Sequence, residues 1–305
     1  MELSIIIISY NTKDMTIECI RSVIEQTKEV DYQLIVLDNN SSDGSAQAIK
    51  SNFPDVQLIE SKENLGFAKG NNVAALEASG EHLLLLNPDT LILDHAIDRL
   101  YAFARLSQGE GIFGGRTYLG DGTLDPTSCW KKPSLWSLFC FAVGLTAAFK
   151  RNRFFDPESY GSWQRDSVRE VDIVTGCFLL LKKETWDRLN GFSPDFFMYA
   201  EEADLCLRAK EAGVQPVIFP DAKIIHYGGA SEKVVADKMV RMLTSKVKLI
   251  RKHWNTRLAV WLGTVFYLTG AYIRAWNPVG VLFPSEKALQ WREIWARRKE
   301  WASSQ

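Results

Sequence analysis

The run "LSIIIISY", Leu3 to Tyr10, places four isoleucines in succession almost at the start of the chain. A β-branched block with no polar alternation has no face to offer water. It reads as a strand covered on both sides, as in a parallel sheet sandwiched by helices. The same kind of block returns in "YQLIVLDNN", "VQLIES" and "EHLLLLNPDT". Helical segments separate these blocks: Met15 to about Gln26, then "SDGSAQAIKSNF" with a polar cap region, then "KGNNVAALEAS". Strands joined by single helices imply right-handed βαβ crossovers. The expected fold is therefore α/β, a Rossmann-like, mostly parallel sheet flanked by helices.

The second half is more mixed. "VDIVTGCFLLLKKETWDRLNGF" reads as a buried strand followed by a short helix, and "VQPVIFPDAKIIHYGGAS" as two strand-like pieces. From about Ala236 the chain is helical, basic and rich in tryptophan. Two charge-free runs stand out: Pro133 to Phe149, bracketed by Lys131, Lys132, Lys150, Arg151 and Arg153, and Leu258 to Ile273. Both fall short of the about 20 apolar residues that span a bilayer. A helix lying in the membrane interface suits them, with a buried core helix as the competing reading. Trp276, Trp291, Trp295 and Trp301 alternate with Arg292, Arg297, Arg298 and Lys299, the mixture found at headgroup level. With 36 basic and 37 acidic residues the net charge is -1, which gives no argument for nucleic acid. Cys19, Cys129, Cys140, Cys177 and Cys206 form no CxxC pair, so a reducing compartment is expected. The opening isoleucines are too short for a signal-peptide core, so export is not expected.

Ligands of open parallel sheets bind beyond the carboxyl ends of the strands. Those ends are polar here: Ser9, Tyr10 and Asn11 after the first strand, and Asp38, Asn39, Asn40, Ser41, Ser42 and Asp43 after the second. Asn64, Gly66, Lys69 and Asn71 follow the third, and Asn87, Pro88 and Asp89 the fourth. Each group alone is what a turn uses. A second puzzle lies in "FFMYAEEADLCLRAKEAG". At helical spacing Leu205, Ala209 and Ala212 form an apolar stripe, and Glu201 and Glu202 flank it near the helix start.

Taken together, "SIIIISYN", "VLDNNSSDGS", "NLGFAKGNN", "LLLLNPDT", "VTGCFLLLKKETWDRLNGFSPDFFMYAEEADLCLR" and "IIHYGGAS" resemble the ordered motifs of glycosyltransferase family 2, in particular its rhamnosyltransferase-like branch. The resemblance covers about residues 3 to 231. It implies a GT-A fold, a nucleotide-sugar donor, a divalent cation (Mg²⁺ or Mn²⁺) and inversion at the anomeric carbon. By that resemblance Asp38 accepts the imide N–H of a uracil or thymine, Ser9, Tyr10 and Asn11 line the base and ribose, and Asn40 belongs to the same strand exit. Asn64, Gly66, Lys69 and Asn71 form the nucleotide-contacting loop, where Lys69 is equally readable as a surface lysine. Asn87, Pro88 and Asp89 stand in the family's DxD place, with Asn87 where an acid is usual, and Asp89 and His226 are the metal candidates. His226 has a purely structural reading beside that one. Thr175 and Gly176 approach donor sugar and acceptor. Glu202 falls at the general-base position, where Asp is usual, and Glu201 or Asp204 could share the role.

The expected enzyme moves a sugar, rhamnose by resemblance only, from a dTDP- or UDP-sugar to a glycan or polyprenyl-linked acceptor, in surface polysaccharide or cell-wall biosynthesis. Residues 1–115 would carry the donor and 116–235 the acceptor and base, while 236–305 form a C-terminal membrane-associated helical extension. It would sit in the cytoplasm, peripheral on the inner face of the membrane, with a homodimer left open. Two competitors remain. One is a non-catalytic nucleotide-sugar-binding scaffold. The other is a nucleotidyltransferase, disfavoured because "SYNTKDM" lacks the glycine-rich phosphate loop.

Overall fold

The computed structural model describes residues 1–107, 111–228, 234–276 and 285–303. Its contacts divide it into two compact units. The first comprises Met1–Trp130, Gln164–Phe197 and Glu201–Ser231; the second comprises Lys131–Trp163, Met198–Ala200 and Glu232–Gln305.

The first unit opens with strands β1 (Leu3–Ser9), β2 (Tyr32–Asp38), β3 (Gln57–Glu60) and β4 (His82–Leu86), separated by helices α1 (Lys13–Gln26), α2 (Ser45–Asn52) and α3 (Gly66–Leu76). These lie as the block pattern requires. Every residue of β1 and β4 is buried, because helices cover both faces of the sheet. Strand β5 (Thr90–Leu93), helix α4 (Ala96–Leu106), β6 (Gly111–Tyr118) and β7 (Cys129–Trp130) follow. Strands β8 (Arg169–Glu170), β9 (Ile173–Val174) and β10 (Phe178–Lys182), helices α7 (Lys183–Arg188) and α8 (Glu201–Glu211), and β11 (Gln215–His226) complete the unit.

The main sheet has nine strands in the order β3-β2-β1-β4-β10-β6-β11-β5, with β8 also pairing to β11. β3, β2, β1 and β4 are parallel, as are β6 and β11, whereas β10 is antiparallel to both of its neighbours and β5 is antiparallel to β11. The sheet is therefore mostly parallel. The two strand-like pieces expected after Val214 form the single strand β11, whose register shifts between Phe219 and Lys223. On α8, Leu205 and Ala209 are fully buried as the stripe requires, but Ala212 lies beyond the helix end and is exposed.

In the second unit the charge-free run 133–149 is not one helix. Ser134 caps helix α5 (Leu135–Ala142), Gly144 turns the chain in the left-handed region at φ 83°, and the short α6 (Leu145–Ala148) follows. Ser134 and Ser137 close α5 with a reciprocal capping box. Helices α9 (Val235–His253) and α10 (Arg257–Ala275) and two further helices, Glu286–Ala296 and Arg298–Ala302, complete the unit around a core of Leu138, Val240, Leu243, Val247, Tyr267 and Trp301.

Candidate active site

The carboxyl ends of β1 and β2 are stitched together by short polar bonds. Asn11, at φ 51°, accepts the Ser42 N–H on Oδ1 at 2.8 Å and donates its own N–H to Ser41 Oγ at 3.0 Å. Asp43 accepts the N–H groups of Lys13 (2.9 Å) and Ser45 (3.0 Å). Partial burial works against its charge, but the Ser45 hydroxyl, which donates to Oδ1, and these N–H bonds prevail and hold the Asp43 carboxyl below its ordinary value. Ser9 is fully buried, and its hydroxyl is committed to Thr16 Oγ1 at 2.9 Å. Tyr10 is half-buried, and Asn40 is exposed in a left-handed turn at φ 64°.

Asp38 differs from these neighbours. Its Oδ2 accepts the Ser41 N–H at 3.0 Å, whereas Oδ1 is buried with no hydrogen-bond partner. A buried, unpaired carboxylate oxygen costs free energy unless a donor from outside meets it.

Asn39, to which the sequence assigns no role beyond its place at the second strand's exit, carries the next layer. Its Nδ2 donates to Asn64 Oδ1 (3.0 Å) and Gly66 O (3.1 Å), while its Oδ1 accepts the Leu65 N–H at 2.7 Å. One amide thus bolts the loop before α3 to the end of β2. Gly66 is required there: its φ is +75°, and a Cβ would come within 2.4 Å of Phe197 O. In the same helix Asn71 bonds back to Phe67 O at 2.9 Å, so its amide is used internally. Asn72 clamps the backbone of Phe192 from both sides, donating to its O at 2.8 Å and accepting its N–H at 2.9 Å. Lys69 is exposed and pairs with Glu63 at 3.4 Å. Nothing in the sequence separates Asn39 and Asn72 from the turn asparagines around them.

The fourth strand leads to the second cluster. Asn87 donates its N–H to Cys177 O at 3.0 Å, tying the β4 exit to the "TGC" turn, with Pro88 half-buried beside it. Asp89 is buried, with Oδ1 3.3 Å from His226 Nε2, and Asn87 Nδ2 lies 3.2 Å from the same nitrogen. Burial disfavours the imidazolium, but Cys177 and the Asp89 carboxylate outweigh it and raise the His226 pKa to about 11. A protonated ring donates at both nitrogens, so Asn87 meets it with Oδ1 once its amide turns over. Among the described residues no group of three or more His, Cys, Asp or Glu side chains gathers for a metal. Two donors do converge. Ligands at about 2.1 Å from one octahedral cation sit ~3 Å apart, close to the Asp89–His226 separation. Once His226 gives up that proton and frees a ring lone pair, the pair fits a divalent cation, with the oxygens of a diphosphate as further ligands.

Helix α8 supplies the third part. Tyr199 (φ 70°) and Ala200 (φ 66°) are consecutive left-handed residues just before Glu201, a strain of about 1–3 kcal/mol each of the kind that collects at functional sites. The acids that follow have separate fates. Glu201 is buried. Asp204 is fully buried and ion-paired to Arg208 Nε at 2.8 Å, and Arg208 also donates to the carbonyls of Leu189 and Gly191. Asp204 therefore holds the "DRLNGF" turn through Arg208. Glu202 has a shielded Oε2 without a hydrogen-bond partner. Burial raises its pKa from an ordinary 4.5 to about 7, against the pull of the Glu202, Ala203 and Gly176 backbone groups. Gly176 lies directly against it: a Cβ there would stand 3.6 Å from Glu202 Cβ and 3.3 Å from the Phe67 ring. Thr175 N–H donates to Ser128 O at 3.0 Å and anchors that turn.

Two polar strand-exit loops, an acid–histidine pair and a half-buried carboxylate of raised pKa thus belong to one compact unit. Residues 4–172 match the family described as Glycosyl transferase family 2. The chain belongs to that family. It is 28% identical over 213 residues to the N-acetylglucosaminyl-diphospho-decaprenol L-rhamnosyltransferase of Mycobacterium tuberculosis (strain CDC 1551 / Oshkosh), 64% of this chain and 66% of the relative. The match thus spans just under two thirds of that relative's length. It is also 28% identical over 254 residues to Rhamnosyltransferase WbbL of Escherichia coli (strain K12), 78% of this chain and 88% of the relative. Among solved structures, a mannosyltransferase from Pyrobaculum calidifontis in complex with GDP-Man and Mn²⁺ aligns with a TM-score of 0.59 over 99% of this chain and 85% of that one, at 17% identity. That likeness shows the fold, a GT-A sheet. Rhamnosyltransferases are among the relatives of this chain.

Proposed function

We propose that this glycosyltransferase moves a sugar, with rhamnose the first candidate, from a dTDP- or UDP-activated donor to a carbohydrate acceptor carried on a polyprenyl diphosphate, inverting the anomeric carbon. The Glu202 carboxylate carries this reading: it is enclosed, its Oε2 has no partner, and its pKa stands near neutrality. A base poised near the working pH is what removal of a sugar hydroxyl proton requires. Asp38 Oδ1 takes the imide N–H of the donor base, a charge-assisted bond that selects uracil or thymine. Asp89 and His226, the latter in its neutral form, would hold the divalent cation with the donor diphosphate. When bound, such a cation supplies Lewis-acid stabilisation of the departing phosphate charge. Glu202 accepts the proton of the acceptor hydroxyl as its oxygen bonds to the anomeric carbon. The bond from that carbon to the diphosphate oxygen breaks on the opposite side, and the nucleoside diphosphate leaves. Residues 1–115 serve the donor, 116–235 the acceptor and base, and 236–305 the membrane side, with the protein working at the cytoplasmic face where a lipid-linked acceptor is presented.

The mycobacterial relative's name supports the acceptor class, and the Mn²⁺ in the mannosyltransferase structure supports the cation. The test is turnover of dTDP-rhamnose and UDP-sugars with Mn²⁺ and a synthetic N-acetylglucosaminyl-diphospho-lipid. Glu202→Gln is expected to lower transfer by about 10²- to 10⁴-fold while leaving donor affinity unchanged. Equal rates in the variant and the wild type would remove Glu202 as the base. A wild type that binds these donors but transfers none of them would leave the scaffold reading in its place.

A further inference from the structure

Helix α10 has its polarity the wrong way round for a helix of a soluble domain. Its buried positions are mostly small: Gly263, Gly270, Ala271 and Ala275, with Tyr267 the exception. Apart from Arg257 at its start, its exposed positions are large and apolar: Leu258 (66%), Trp261 (60%), Tyr272 and Ile273, with Trp276 just past its end. At 100° per residue Leu258, Trp261, Tyr272 and Trp276 fall on one face along the whole helix. The small residues let neighbours pack closely inside this unit. A Cβ at Gly263 would meet the Trp254 ring at 2.7 Å, and one at Gly270 the Phe141 ring at 2.8 Å. Small residues at the packed seam with bulky residues outward are the pattern of helices whose outer solvent is lipid.

The exposed face continues onto α5, which packs on α10 through Phe139 against Phe266 at 5.8 Å and leaves Leu135, Trp136 and Val143 exposed. Cations adjoin these helices in sequence. Lys131, Lys132, Lys150, Arg151 and Arg153 flank α5 and α6. At the other end a cleft of about 590 Å³ opens between the end of α9 and the first half of α10, lined by Arg251, Trp254, Arg257, Trp261 and Leu268. Two arginines and apolar side chains lining one cleft match a phosphate carrying acyl chains, Arg251 also donating to Ala302 O at 2.9 Å. Among the described residues α10 is the helix long and apolar enough to cross a membrane, but at 19 residues it measures only ~28 Å, and its other side is packed against protein. One-sided exposure suits a helix lying in the membrane plane.

We propose that α10, with the exposed edge of α5, beds into the headgroup layer of an anionic phospholipid bilayer, lipid phosphate seating in the Arg251–Arg257 cleft. This rests on the membrane-side reading given above and names the surface and lipid charge it requires. The experiment is co-sedimentation of the full chain with vesicles of phosphatidylcholine alone or mixed with phosphatidylglycerol, at low and high salt. The wild type should bind the mixed vesicles, and bind them less at high salt. Leu258→Glu/Trp261→Glu and Arg251→Glu/Arg257→Glu should each weaken binding by about tenfold or more, with circular dichroism unchanged, whereas Leu76→Glu, an exposed control, should not. Wild-type-like binding by both double variants would overturn the proposed surface and leave membrane association intact. Absence of vesicle binding by the wild type would overturn both. A dimer in ultracentrifugation that Leu258→Glu/Trp261→Glu dissolves, without vesicle binding, would assign the face to a second copy instead.

Discussion

The loops after β1 and β2 and the first turn of α8 are both dense in acids and amides, yet they treat those groups in opposite ways. At the loops the bonding is closed: Asn11, Asp43, Asn39 and Asn64 donate to and accept from one another's chains, and only Asp38 Oδ1 stays open. On α8, Asp204 is closed by Arg208, but two residues away Glu202 is left open and its pKa climbs to about 7. Closed groups build scaffold; in the proposed function the open Asp38 Oδ1 and Glu202 Oε2 meet the donor base and the acceptor hydroxyl. In a folded chain an unmet buried acceptor is tolerated mainly where function supplies the missing donor.

The contrast breaks first, and by the largest factor, at α8. Transfer should rise with pH through about 7 as Glu202 ionises and then level off, a profile that Glu202→Gln abolishes along with most of the rate. Stability should move the other way. The folded-state pKa lies above its ordinary value, so the stabilising effect of the protonated group is present below about pH 4.5 and lost as pH rises to about 7. Melting curves above neutrality should therefore find Glu202→Gln at least as stable as the wild type. Asp204→Asn should do the reverse, lowering the melting temperature while retaining most of the transfer rate; a rate loss as large as that of Glu202→Gln would move the base to Asp204.

Asp38→Asn comes next. Replacing an acceptor with an amide that points a donor at an imide N–H should raise the donor dissociation constant about 10- to 100-fold, with little change in melting temperature, as read by calorimetry with UDP and dTDP. Asn39→Ala tests a closed group: it strands the Leu65 N–H and should cost about 1–3 kcal/mol in denaturant unfolding, with donor affinity falling through disorder of the loop. Lys69→Ala should do least. Its pairing with Glu63 is exposed and worth at most about 1 kcal/mol, so a large loss of donor affinity would show instead that Lys69 turns to the diphosphate.

The strand blocks were legible because short continuous apolar runs leave little choice of environment, and β1, β2, β3 and β4 stand where those runs are. β5 and β6 drew no notice, although "TLIL" and "GIFGGRTY" carry enough apolar residues to have been read as strands. The run from Pro133 to Phe149 is apolar throughout, but composition does not reveal that Gly144 turns left-handed and splits it. At the site, residue types were readable and their duties were not. Asn39 and Asn72 share their letter with turn asparagines, and Ser9 looked free to meet a ligand until its hydroxyl was found bonded to Thr16. Whether a polar atom is spoken for depends on long-range neighbours that local sequence does not name.

β10 lies antiparallel between β4 and β6, which makes the order of synthesis matter. As the chain leaves the ribosome, β3, β2, β1 and β4 can assemble by local crossovers, but β4 then presents a bare edge until residues 178–182 emerge. Nascent chains would pass through a stage with an unpaired hydrophobic strand, a template for wrong partners. Asn87 and His226, 139 positions apart, meet only after that gap is filled, so the acid–histidine cluster is completed among the last features of the unit to form.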